Sequence, residues 1–239
     1  MTTTATGTHE HISKQFDSEL EAARGKILAM AGLVEEQFRD AMKTLESGDV
    51  DMIHKVLETE ETVNAMHVEI DDMCVHIIAR RQPAASDLRM VLTVIKVVND
   101  LERIGDKAAK IVRRAKQIFE SGRINVPRLS DLTYQSDLAI NMLRTSLDGF
   151  ARLDASVVGH VAREDVKLDD EFRAIQRQLI TFMMEDPRTI TLSLEIIEVA
   201  KAIERVGDHA KNIAEYVVYL VKGIDVRHSP VELIEQKVQ

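Results

Sequence analysis

Two copies of one pentapeptide carry the side chains best placed for chemistry: Glu102-Arg103-Ile104-Gly105-Asp106 and, 102 residues further on, Glu204-Arg205-Val206-Gly207-Asp208. Each lies inside a long segment whose apolar residues recur every three to four positions, so each is read as helical and its two acids, four apart, share one face. Carboxylates on a packing face are costly unless something compensates them. One remedy is a structural ion-pair network with Arg103 and Arg205 as partners. The other is a bound multivalent cation, because clustered carboxylate oxygens are what hard and borderline cations coordinate. The glycine inside each copy costs about 1 kcal/mol relative to alanine in a helix. Its repetition predicts close backbone approach at that level, or relief of crowding where helices cross.

The elements that must position these acids are legible from periodicity. Ile12, Phe16, Leu20, Ala23, Ile27, Met30, Val34, Phe38, Ala41 and Leu45 mark a long first helix with an uncharged stripe, broken by Ser47-Gly48-Asp49. A second helix runs from about Asp51 to Arg81, and the acid Glu60 interrupts its stripe. After the turn Gln82 to Ser86, with Ser86 or Asp87 as cap, a third helix reaches about Phe119 and holds the first pentapeptide. Ser121-Gly122-Arg123 through Pro127 forms a polar connection. The plan then repeats: a fourth helix with an uncharged stripe, a fifth from about Ser156 to Glu185 with Asp165 on its stripe, a turn at Asp186-Pro187-Arg188, and a sixth ending at Gly223. The expected fold is all-α, two tandem antiparallel three-helix bundles related by an internal repeat. Their bounds are 9–121 and 127–223, followed by a loosely held tail, 224–239.

An antiparallel hairpin serves as a ruler, because residues equidistant from its turn lie at one height. Counted from Pro83, Asn64 and Glu102 stand 19 residues away on either side, and Glu60 and Asp106 stand 23 away. In the second hairpin Asp169 pairs with Glu204 and Asp165 with Asp208, both about a midpoint of 186.5 beside Pro187. Each hairpin therefore gathers acid or amide side chains at one level, where like charges and desolvation raise pKa values. Glu60, Asn64, Asp165 and Asp169 are thus the facing partners of the pentapeptide acids.

Composition narrows the function. The chain has 239 residues, 45% of them hydrophobic, with 4% aromatic residues and no Trp, a mix that favours helices and can supply a sizeable core. A net charge of -9 argues against nucleic-acid binding. The lone Cys74 sits among apolar neighbours and reads as core, and its solitude points to a reducing compartment. No signal-peptide pattern and no stretch of about 20 apolar residues is present, so a cytoplasmic protein is expected, reaching membranes only through partner proteins. Phosphate-binding glycine loops, zinc-protease pairs, nucleophile elbows and the Glu-x-x-His pairs of di-iron bundles are missing. His67 and His209 lie near the acids as additional candidates. Arg80, Arg81 and Arg89 offer a surface for an acidic partner. A carboxylate-bridged metal enzyme and a metal-free helical scaffold stand as the alternatives to a binding protein.

The repeated Glu-Arg-x-Gly-Asp motif, with Arg81-Gln82-Pro83-Ala84, Ser86-Asp87-Leu88-Arg89, and Met184-Glu185-Asp186-Pro187-Arg188-Thr189-Ile190, resembles the PhoU family of regulators of high-affinity phosphate transport. The resemblance covers nearly the whole chain. It implies an adaptor without catalysis that represses the phosphate-starvation response, linking the phosphate ABC transporter's ATPase subunit to a membrane sensor histidine kinase, often as a homodimer. It also implies divalent or trivalent metal ions, iron or zinc foremost and in multinuclear clusters, at acid-x-x-x-Asp motifs, here Glu102, Asp106, Glu204 and Asp208. Asn64 stands where the second half has Asp169, and an amide donates less charge, so the first site is expected to bind metal more weakly.

Overall fold

Apolar residues spaced for one helix face, punctuated by glycine, proline and capping acids, fold as six helices in a computed structural model of the protein. The structure describes residues 6–120, 129–227, 229–230 and 233–234. The helices are α1 (Thr6–Ser47), α2 (Val50–Arg81), α3 (Ala85–Glu120), α4 (Leu129–Arg152), α5 (Val157–Glu185) and α6 (Ile190–Lys222), with one 3-10 turn, Pro187–Thr189, between the last two. The described residues contain no strand. The polar connection at 121–127 lies outside them, as do the side chains of Ile12 and Phe16 on the stripe of α1.

The stops follow local chemistry. Gly48 takes a left-handed φ of +64°, and an added Cβ there would press on the Phe119 ring at 2.8 Å, so glycine is needed twice over. Asp49 then caps α2, its carboxylate accepting from the backbone N–H of Asp51 at 2.9 Å and of Met52 at 3.4 Å. Asp186 caps the turn into α6 through the Arg188 N–H at 3.0 Å, and Gly223, φ +72°, closes α6. One boundary differs from expectation. Ser86 and Asp87 do not cap α3 from outside but occupy its first turn, which begins at Ala85, a residue in the left-handed conformation. There the Asp87 charge favours the positive end of the helix dipole.

α1, α2 and α3 pack on one another, and so do α4, α5 and α6, which makes the two tandem three-helix bundles. They join along α3 and α6, the most extensive helix pairing in the molecule, and again between α1 and α4. Apolar side chains from both bundles form one continuous core. Across the junction Lys110 meets Glu198 at 2.6 Å, Arg114 meets Glu195 at 3.0 Å, and the Nδ1 of His209 meets Asp100 at 2.6 Å. Lys96 lies over the rings of Tyr216 and Tyr219. These pairings run α3 and α6 antiparallel and set Ile104 level with Val206, so the two pentapeptides meet at mid-height. Arg144 of α4 reaches Glu35 of α1, and Arg24 of α1 donates to the Ala151 carbonyl of α4.

Two described residues of the tail pack on the core. Val226 and Ile234 are buried, and Asp225 pairs with Arg227, whose guanidinium holds the Asp225 carboxyl down at about 2. Two apolar side chains that reach a hydrophobic surface outweigh the polar residues around them. His228 and residues 231, 232 and 235–239 lie outside the described residues.

Candidate metal centre

Within each pentapeptide the isoleucine or valine and the glycine turn inward while the two acids stand half-buried at the edge of the seam. The partner helix of each hairpin contributes the facing acids, as counting from the turns requires. In the second half Asp165 is buried on α5, with Asp169 one turn further on, opposite Glu204 and Asp208 of α6. The electrostatics record the meeting. The Asp208 carboxyl is raised above the usual carboxylate range by burial first, with Arg205 opposing and Asp165 and Asp169 reinforcing. Glu204 is raised by burial and then by Asp208, with Asp169 contributing more weakly, and Asp169 by burial and Asp165.

Cations answer part of this charge. Lys211 donates to Asp165 Oδ2 at 2.6 Å, Arg205 to Asp208 Oδ2 at 3.0 Å, and Arg173 approaches Asp169 at 3.5 Å. Asp165 Oδ1 and Glu204 Oε2 remain buried without a hydrogen-bond partner, although Arg205 Nε approaches Glu204 Oε2 at 3.6 Å. Two orphaned carboxylate oxygens on adjoining helices are an unusual expense inside a protein, since buried polar atoms are nearly always satisfied. They are also the donor type a hard or borderline cation takes, so the second cluster fits a metal in its ligand chemistry. Among the described residues no group of three or more His, Cys, Asp and Glu stands ready-made at metal-binding spacing.

The first half is built alike but loaded differently. Glu60 faces Asp106 and Glu102, and its carboxyl is raised by burial first, with Arg113 opposing from 2.8 Å. Arg103 approaches Glu102 at 3.4 Å and Asp106 at 3.5 Å. Asn64 is exposed. The donors here are fewer and one is spent on Arg113.

Several candidates belong elsewhere. Asp100 of α3 accepts from His209 and, at 3.3 Å, from Asn212, in the junction between bundles, and so is not free to serve the first cluster. His209 is thereby committed to Asp100, and His67 lies 3.4 Å from Asp71. Cys74 is fully buried, and burial pushes its thiol up to about 12, which suits a core residue. Arg81 makes a two-pronged contact with Glu19 of α1, at 2.7 and 3.1 Å, and so faces inward.

The pentapeptide glycines answer to side chains, not to the backbone approach expected of them. A Cβ on Gly207 would strike Leu168 of α5, and one on Gly105 would meet Gln37 Oε1 at 3.0 Å and Val63 at 3.3 Å. Gly207 is the hole that receives the apolar Leu168 from the facing helix, while Gly105 makes room for the Gln37 amide of α1 and for Val63 of α2. Buried Asp40 on α1, held by Lys43 and Lys55 at 2.9 and 2.8 Å, went unflagged by the sequence. Its i,i+3 lysine was the available signal.

The PhoU domain matches residues 27–115 and again 133–217, one match per bundle. The chain is 48% identical over 230 residues to a phosphate-specific transport system accessory protein PhoU homolog of Pseudomonas putida, spanning 96% of this chain and 89% of that one. It is 46% identical over 220 residues to the phosphate-specific transport system accessory protein PhoU of Escherichia coli, 92% of this chain and 90% of the other. The crystal structure of PhoU from Pseudomonas aeruginosa superposes with a TM-score of 0.84 at 46% identity, covering 87% of this chain and all of that one. The phosphate transport system regulatory protein PhoU from Streptococcus pneumoniae superposes at 0.80 with 28% identity, covering 88% and 99%.

Proposed function

Because the chain belongs to the PhoU family, we propose that it is an accessory regulatory protein of phosphate-specific transport, a cytoplasmic adaptor that represses the phosphate-starvation response. In this reading it couples the phosphate ABC transporter's ATPase subunit to a sensor histidine kinase and performs no catalysis of its own. It does so as a homodimer. None of the described helices is long and apolar enough to cross a membrane, which accords with reaching the membrane through partners. The observation that carries the reading is likeness over about nine-tenths of the chain, in sequence and in fold, to proteins named as accessory proteins of phosphate-specific transport. Deleting the gene is expected to leave phosphate-starvation genes expressed in phosphate-rich medium. Normal repression in the deletion strain would sink the proposal.

The second cluster is proposed as a metal centre, with Asp165, Asp169, Glu204 and Asp208 as ligands. The orphaned oxygens of Asp165 and Glu204 support it. A bound cation would supply a positive charge that favours the ionised forms of Asp169, Glu204 and Asp208 and would tie α5 to α6. Lys211 and Arg205 would then be released from Asp165 and Asp208. Glu60, Asn64, Glu102 and Asp106 form the weaker counterpart. A structural ion-pair network is the second reading, favoured by the 2.6 Å Lys211 and 3.0 Å Arg205 contacts. Elemental analysis of protein purified without a metal-affinity tag separates them: stoichiometric iron or zinc, lost in Glu204→Ala with Asp208→Ala, is expected for the centre, whereas metal-free protein supports the network.

A further inference from the structure

Between the two bundles a cleft of about 320 Å³ is lined by Lys107 and Lys110 of α3 and by Lys201, Ala202, Arg205 and His209 of α6. No carboxylate lines it, in a chain that carries 40 acids against 31 lysines and arginines. Four cationic side chains and a histidine gathered at a helix junction give the cleft a positive potential that attracts anions. Part of that neutralisation is internal. Lys110 is held by Glu198 at 2.6 Å, Arg205 by Asp208 at 3.0 Å, and His209 by Asp100 at 2.6 Å. The acids whose charge reaches Lys201, Glu198 and Glu204, are themselves engaged by Lys110 and Arg205. Lys107 and Lys201 form no ion pair within 4 Å among the described residues, and they face the cleft from opposite helices.

We propose that this cleft binds one phosphate-type oxyanion, clamped between Lys107 of α3 and Lys201 of α6. Two ammonium groups without an ion-pair partner match the charge of a phosphate-type oxyanion, about -1.5 to -2 for a monoester at neutral pH. The size of the cleft lies at the small end of ligand pockets, which run from about 300 Å³ upward. Size and field together select a small anion over a polyanion. The net charge of -9 repels an extended nucleic acid or acidic protein over its whole length, whereas a small dianion senses only charges within a screening length of about 8 Å. Ala202, with its short side chain, leaves the floor open for the oxygens. The anion would join the two bundles across their junction, a contact that the carboxylate clusters, each within one hairpin, do not make. The site stands on charge and geometry alone, so its failure would leave the adaptor reading untouched.

Isothermal titration at fixed ionic strength tests the site, with inorganic phosphate, a phosphate monoester such as AMP, and sulfate as separate titrants. The full-length protein is used as purified and again after chelation, so that binding through a metal is told apart. Saturable binding of one phosphate per chain is expected in both preparations, weakened about tenfold in Lys107→Gln and again in Lys201→Gln, the loss typical of a charged hydrogen bond. Lys107→Arg and Lys201→Arg should retain binding, and they serve if the glutamine variants fail to fold. Tighter binding of inorganic phosphate than of AMP identifies the free ion as the occupant, and the reverse order identifies a monoester. Absence of saturation in the wild type, equal response to all three anions, loss on chelation, or undiminished binding when both lysines are replaced by glutamine would each overturn the proposal.

Discussion

Each carboxyl of the second cluster is governed by its neighbours more than by its own chemistry. Burial raises Asp169, Glu204 and Asp208, and the facing acids add to the effect while Arg173 and Arg205 oppose it. A raised carboxyl binds its proton more tightly in the folded state than in the unfolded one. The resulting stabilisation is full below the unfolded value of about 4 and is lost as pH rises through the folded value. Chelated protein is therefore expected to unfold at a higher temperature near pH 5 than near pH 7, within the interval just above the ordinary carboxylate range. Asp208→Asn should flatten that rise. Asp40 works in the opposite sense: burial alone would raise it, yet hydrogen bonds from Lys55 and Lys43 hold it down, so its contribution disappears only at lower pH. A thermal midpoint that falls steadily from pH 7 to about pH 5 in chelated protein would contradict this account. Bound metal should invert the trend, because a cation competes with those same protons.

At the scale of the helix, the glycines separate the two halves more sharply than the acids do. An alanine at position 207 gains about 1 kcal/mol of helix propensity but drives its methyl into the buried side chain of Leu168, an overpacking in the upper part of the usual range, about 2–3 kcal/mol. At position 105 the obstacle is the amide oxygen of Gln37 at 3.0 Å, with Val63 further off, and the gain and the cost nearly cancel. Gly207→Ala is expected to lower unfolding free energy by about 1–2 kcal/mol, and Gly105→Ala to change it by less than about 1 kcal/mol. Chemical denaturation of both variants decides it, and equal losses would refute the packing argument. Counting from Pro83 and Pro187 found the facing acids because a short turn fixes the height of everything on two adjoining helices. The same counting could not foresee Lys107 beside Lys201, or His209 beside Asp100, since α3 and α6 are not joined by a turn. Nor does periodicity distinguish a glycine that admits backbone from one that admits a leucine. Asp40 escaped notice for a related reason: an acid next to an apolar stripe looks solvated until the neighbouring helix covers it.

For the molecule as a whole, the decisive contact is the one between halves. The sequence shows the repeat, the six helices and their turns; it does not show that α3 and α6 lie against each other in opposite directions with Ile104 level with Val206. That arrangement makes one core out of two bundles and places the lysine-lined cleft on the junction. It is also the pairing that two identical subunits adopt when the same patch on each meets itself about a two-fold axis. The chain can thus be regarded as a dimer fused into one polypeptide. In a true dimer of identical subunits every substitution appears at both sites at once. Here each half is encoded separately, so Asn64 can stand in one cluster while Asp169 stands in the other, and a single molecule can carry two unequal donor sets across a nearly symmetric frame.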